Sequence, residues 1–125
     1  MNMSGLMIGS EEPSQMVAFY TELFGDPTFD EGGYTTWQLG TGWVTVAAHD
    51  QVKGENEQPG RLMWNLESDD VPGDFERCKA AGATVVAEPY NPGDGSDDTM
   101  RIATLADPDG NYFQLMTAMD PDQMP

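Results

Sequence analysis

The sequence predicts an α+β fold in which one strand–helix–three-strand unit is used twice, and three observations predict it. Two stretches carry apolar side chains at helical spacing, and each stops at a glycine, Gly25 and Gly82. Each stretch follows one short alternating run and precedes three more strand-like runs. A polar segment without apolar periodicity, residues 50–60, separates the two copies.

In the first copy Leu6 and Ile8 alternate with Met7 and Gly9, which predicts a strand over Gly5–Ser10. Glu11-Glu12-Pro13-Ser14 then reads as a helix start, with acids near the positive end of the dipole and proline in the first turn. Met16, Val17, Tyr20, Leu23 and Phe24 supply the apolar face of that helix. Strands follow at 28–30, 34–39 and 43–49, punctuated by Gly32-Gly33 and Gly40-Thr41-Gly42.

In the second copy residues 61–67 read as a strand with Leu62, Trp64 and Leu66 on one face. Ser68-Asp69-Asp70-Val71-Pro72 opens a helix whose apolar positions are Val71, Phe75, Cys78 and Ala81. A strand at 84–88 and a polar loop at 89–99 lead to the last two strands, 100–106 and 112–118. Asp107-Pro108-Asp109-Gly110 between them is turn chemistry: Pro108 presets φ and Gly110 accepts a left-handed conformation. The whole chain is therefore expected to be a single domain of module one (1–49), linker (50–60), module two (61–118) and a fraying tail (119–125).

Composition narrows the function. Twenty-two acidic residues against five basic ones give 125 residues a formal charge of −17, which repels nucleic-acid backbones. No apolar run approaches the roughly eighteen residues of a membrane span, and no basic-then-apolar leader opens the chain, so a soluble cytoplasmic protein is expected. Cys78 is the only cysteine, which excludes an intrachain disulfide and a thiolate cluster and suits a buried apolar role. The scattered acids fit a solvated coat, as in salt adaptation, better than a single charged site; attraction of a cationic ligand is the other reading.

The doubled unit, with Phe19-Tyr20 and Leu23-Phe24-Gly25 in its first helix and Ala106-Asp107-Pro108-Asp109-Gly110-Asn111 at its last hairpin, resembles the vicinal oxygen chelate superfamily. That group includes glyoxalase I, bleomycin resistance proteins and extradiol dioxygenases. The resemblance implies curved mixed sheets around a cavity, with a second subunit completing it. It also implies metal ligands on the first and last strand of each module. Those places fall near Gly5 and Met63, at Thr45 or Ala47, and at Gln114. None is a first-choice ligand for a divalent ion. His49 is the only histidine, so a two-His, one-carboxylate iron site within one chain is excluded by counting. No metal ligand and no cofactor are assigned.

Strand parity then sorts the side chains. With Leu6, Ile8, Trp64, Leu66, Phe113 and Leu115 toward the helices, the opposite face carries Met7, Gly9, Met63, Asn65, Glu67, Tyr112, Gln114 and Met116, and Trp43, Thr45, Ala47 and His49 share a face in module one. Met7, Trp43, Thr45, Met63, Asn65, Glu67, Tyr112, Gln114 and Met116 are the candidate ligand contacts, a sulfur, ring and amide lining of the kind small-molecule sites use. The same face could instead be a subunit contact, with Trp37 and Trp43 as core or interface. His49 and Glu67 are the weak catalytic candidates. The expected function is a metal-independent homodimer that binds a small aromatic or cationic molecule, as in resistance by sequestration. The alternatives are a glyoxalase-like lyase or isomerase with an atypical site, and a structural or regulatory dimer with a closed pocket.

Overall fold

The computed structural model describes residues 1–93 and 99–118. The expected fraying tail and part of the 89–99 loop lie outside those residues. The elements run β1 (Gly5–Ser10), α1 (Pro13–Phe24), β2 (Phe29–Glu31), β3 (Tyr34–Leu39) and β4 (Gly42–Ala48), then β5 (Trp64–Ser68), α2 (Val71–Ala80), β6 (Thr84–Tyr90), β7 (Ile102–Ala106) and β8 (Tyr112–Thr117). They form two βαβββ modules. Contacts divide the chain into two compact units, residues 1–55 and 56–125, with the boundary inside the polar 50–60 stretch.

In the first unit the sheet order is β1-β4-β3-β2, with β1 parallel to β4 and the rest antiparallel. Helix α1 lies on β1 and β4. It buries Met16, Phe19 and Tyr20 against Ile8, Trp37, Val44 and Val46. Phe19, rather than the half-buried Val17, completes its inward face. Trp37 is core: its ring packs beside Tyr20 and Phe24, and its Nε1–H donates to the Gly25 carbonyl at 2.9 Å, satisfying a group at the helix end.

The second unit repeats the plan with order β5-β8-β7-β6 and β5 parallel to β8. Helix α2 packs on β6, β7 and β8 and buries Val71, Phe75 and Cys78 against Leu105, Phe113 and Leu115. Asp70 caps it, its carboxylate accepting from the Gly73 N–H at 3.1 Å. Ser10 and Ser68, both buried, close β1 and β5 in the same way. Their hydroxyls accept from the backbone N–H two residues on, at Glu12 and Asp70.

Several boundaries differ from the sequence reading. Residues 61–63 are not strand: the Arg61 N–H donates to the Gln58 carbonyl, and its guanidinium holds Gln58 Oε1 at 2.7 Å. That turn leaves Leu62 86% exposed, so it does not join Trp64 and Leu66. Strand β6 runs two residues further than expected, through Pro89. It is an edge strand interrupted by register shifts, where a missing N–H costs little. His49 lies just past β4, because its Nδ1 and carbonyl accept from Gln51 and Val52 N–H groups and turn the chain. The 50–60 segment is tied down despite its composition. Gly54 N–H donates to Glu11 Oε1 at 3.1 Å, and Asn56 N–H donates to the Asp109 carbonyl at 2.8 Å. Among the described residues no helix is long and apolar enough to cross a membrane.

Candidate functional site

Each sheet has one face under its helix and one face away from it, and the candidate residues sort onto the second. In the first unit Met7 pairs with Thr45 and Thr45 with Thr36, so one row crosses the middle of that face. Thr36 and Thr45 join hydroxyl to hydroxyl at 2.7 Å. Trp43 and Gly5 form the next row on one side, and Ala47 and Gly9 the row on the other. Met7 is 54% exposed and Trp43 40%, with Phe29 and Tyr34 also open on this face. These are large apolar groups without a cover inside their unit. His49 reaches the rim only: a Cβ added at Gly9 would stand 2.9 Å from that of His49. Its Nδ1 accepts the Gln51 N–H at 3.1 Å, and the Asp50 carboxylate, itself in solvent, lies 3.7 Å away.

In the second unit Asn65 pairs with Gln114, and Gln114 with Thr104. The Gln114 side-chain N–H donates to the Thr104 hydroxyl at 3.1 Å. Glu67 and Met116 form the next row, and Tyr112 sits beside Ala106 on the other side. Met63 precedes the strand and is exposed. Counting back from Ser10 and Ser68, Met7 corresponds to Asn65. Thr45 and Thr36 then correspond to Gln114 and Thr104. Of the two module-one positions left open by the sequence, Thr45 is the equivalent of Gln114. The Thr36 and Thr104 partners were missed, because only strand register reveals which hydroxyl lies opposite.

The donor set does not fit a divalent ion. A Cβ at Gly5 would run into the backbone carbonyl of Trp43, so any side chain there, an imidazole included, would have to push the paired β1 and β4 backbones apart. Thr45 is tied to Thr36, Gln114 offers a neutral amide, and Met63 a soft thioether. Among the described residues no three of His, Cys, Asp or Glu gather. What this arrangement can do is hold a ligand by apolar contact around a small hydrogen-bonding centre.

Cys78 takes no part. It lies on the core face of α2, where burial first, then the Asp74 charge, push its thiol up from 9.0 to about 11, against a smaller opposing pull from Arg77. Such a thiol is a poor nucleophile.

Two βαβββ modules with these open faces define a class, the glyoxalase and bleomycin-resistance fold. The glyoxalase-like domain family matches residues 5–116, and the chain belongs to that family. Among solved structures, a glyoxalase/bleomycin resistance protein/dioxygenase family enzyme from Burkholderia phytofirmans PsJN superposes with a TM-score of 0.74 at 20% identity, covering 95% of this chain and 100% of its own. A glyoxalase-related enzyme from Fulvimarina pelagi gives 0.73 at 20% identity over 94% of this chain and 88% of that one. A glyoxalase/bleomycin resistance protein/dioxygenase from Alicyclobacillus acidocaldarius gives 0.71 at 14% identity over 99% and 96%. At such identities the likeness concerns the fold. No curated protein gives a significant match.

Proposed function

We propose that the chain is a metal-independent binding protein of the glyoxalase/bleomycin-resistance type, acting as a homodimer that sequesters a small aromatic or cationic molecule. The single observation that carries this reading is the makeup of the open sheet faces. Exposed sulfur and aromatic groups surround neutral hydrogen-bonded pairs at the positions where metal-using relatives hold their ion. The candidate contacts are Met7, Trp43 and Thr45 on the open face of the first unit, and Met63, Asn65, Glu67, Tyr112, Gln114 and Met116 on that of the second. The acidic surface would speed encounter with a cation at low salt.

A structural dimer is the competing reading, since Met7, Trp43, Phe29 and Tyr34 also suit a subunit contact. Titration with planar aromatic and cationic compounds, following tryptophan emission in wild type and in Trp43→Phe, separates the two. Saturable quenching that weakens in Trp43→Phe supports binding. No response to any compound, with a dimer persisting on dilution, supports the structural dimer.

A further inference from the structure

The open face of the first unit is covered at one end. Gly9 lies on the same face of β1 as Met7, and a Cβ there would stand 2.9 Å from the His49 Cβ and 3.4 Å from a Val52 methyl. The turn after β4 therefore folds back over this end of the face, and the missing side chain of Gly9 admits it. Next in the row come Ala47, 2% exposed, and Tyr34, 50% exposed. A glycine and an alanine make a floor almost without relief, and His49 and Val52 stand over its Gly9 end.

Residues 49–54 are held there at both ends. At the first end the His49 N–H donates to the Ser10 carbonyl at 3.2 Å, and His49 Nδ1 accepts the Gln51 N–H at 3.1 Å. At the other the Gly54 N–H donates to Glu11 Oε1 at 3.1 Å, with the Lys53 ammonium 3.5 Å from Glu11 Oε2. Two of these ties depend on protonation, and in the same direction. A protonated Glu11 loses its attraction for Lys53 and accepts more weakly from Gly54; a proton on Nδ1 turns that acceptor into a donor. Few charges face the two groups. Lys53 faces Glu11, Glu12 follows it in the chain, and the first turn of α1, Pro13 to Met16, carries no charged side chain. Asp50 lies 3.7 Å from Nδ1, and Gly9 and Ser10 of β1 bring no charge.

Resting on the binding reading above, we infer that residues 49–54 are a strap that closes the Gly9 end of this face at neutral pH and releases it in acid, with His49 and Val52 as an internal occupant that a flat apolar ligand displaces. The clasp at Glu11 is one exposed hydrogen bond and one exposed ion pair. Such contacts hold weakly, so the strap is closed most of the time rather than locked.

The test reads two things on the intact protein: the nuclear Overhauser contact between the Val52 methyls and the Gly9 α-protons, and binding of N-phenyl-1-naphthylamine, a neutral fluorescent probe. The sequence pI is about 4.1, so Glu11→Ala at pH 7 stands in for acid without loss of solubility. Wild type at pH 7 should show the Val52–Gly9 contact. In Glu11→Ala it should weaken while contacts between β1 and β4 stay, and the probe should bind roughly threefold more tightly. Glu11→Gln keeps an acceptor for Gly54 without the Lys53 pair and should fall between the two. Val52→Ala trims the cover, leaves the clasp, and should also bind the probe more tightly. No contact in wild type, or a contact as strong in Glu11→Ala, would overturn the strap. A released strap with unchanged probe affinity, in a protein that still binds a compound of the wider panel, would overturn the gating and leave the binding reading. Failure of the probe and of the whole panel would overturn both.

Discussion

Gln114 gives its side-chain N–H to the Thr104 hydroxyl across neighbouring strands, and Thr45 meets Thr36 at the equivalent place in the other unit. Two copies of one module therefore carry neutral hydrogen-bonded pairs at matching positions. A neutral amide can lend a hard cation an oxygen, but it supplies no charge.

Replacing Gln114 by glutamate restores a carboxylate without restoring the rest of a metal site. Gly5 carries no donor and its Cβ direction meets the Trp43 carbonyl, and Met63 offers no imidazole. Gln114→Glu should therefore hold no stoichiometric zinc or nickel by elemental analysis after desalting. One bound equivalent would contradict the reading of the donor set.

Gly5 and Gly9 lie on the same face of β1 but differ in what a methyl group would meet. At Gly5 it is the backbone carbonyl of Trp43, in the strand bonded to β1; at Gly9 it is the Cβ of His49, at the end of β4. Backbone in a ladder yields less readily than a residue at a turn. Gly5→Ala should cost roughly 1–3 kcal/mol in denaturant unfolding, and Gly9→Ala less. Equal costs would show that the β1–β4 pair adjusts freely.

Cys78 links burial to pH. Its folded-state pKa lies above the ordinary thiol value, so the unfolded chain releases its proton first as pH rises. The stability tied to this group is complete below pH 9.0 and drains away toward about 11. Wild type should lose ground to Cys78→Ala over that interval, and native protein at pH 8 should resist a thiol reagent that labels the unfolded chain. A stability difference independent of pH would sink the assignment.

Glu11 works in the opposite direction. The Gly54 N–H bond, opposed by some desolvation and helped by Lys53, lowers its carboxyl below the ordinary 4.5. Its contribution is thus present above that value and lost as pH falls through the lowered one. The Gly54 amide should be protected from exchange at neutral pH, should lose protection in acid, and should lack it throughout in Glu11→Ala. Protection unchanged in the variant would show that the contact does not hold the segment.

Much of this was legible from alternation alone. Period-two patterning put Gln114, Met116 and Tyr112 on one face of β8 and Phe113 and Leu115 on the other, as the burial shows. Helical spacing found Val71, Phe75 and Cys78 in α2. The same alternation misled at Leu62, because Leu62, Trp64 and Leu66 keep a strand rhythm while the Gln58–Arg61 turn takes the first of them out of the sheet. Tertiary contacts were hidden altogether. The Thr36–Thr45 pair and the closed position at Gly5 depend on which residue a neighbouring strand brings alongside, and no local pattern encodes that register.

The central claim, ligand binding without a metal, is tested most directly by measuring one binding isotherm twice, on protein as purified and after exhaustive chelation, for whichever compound quenches tryptophan emission. The two curves should coincide, and added zinc or nickel should change neither. Binding that disappears on chelation and returns with the ion would contradict it.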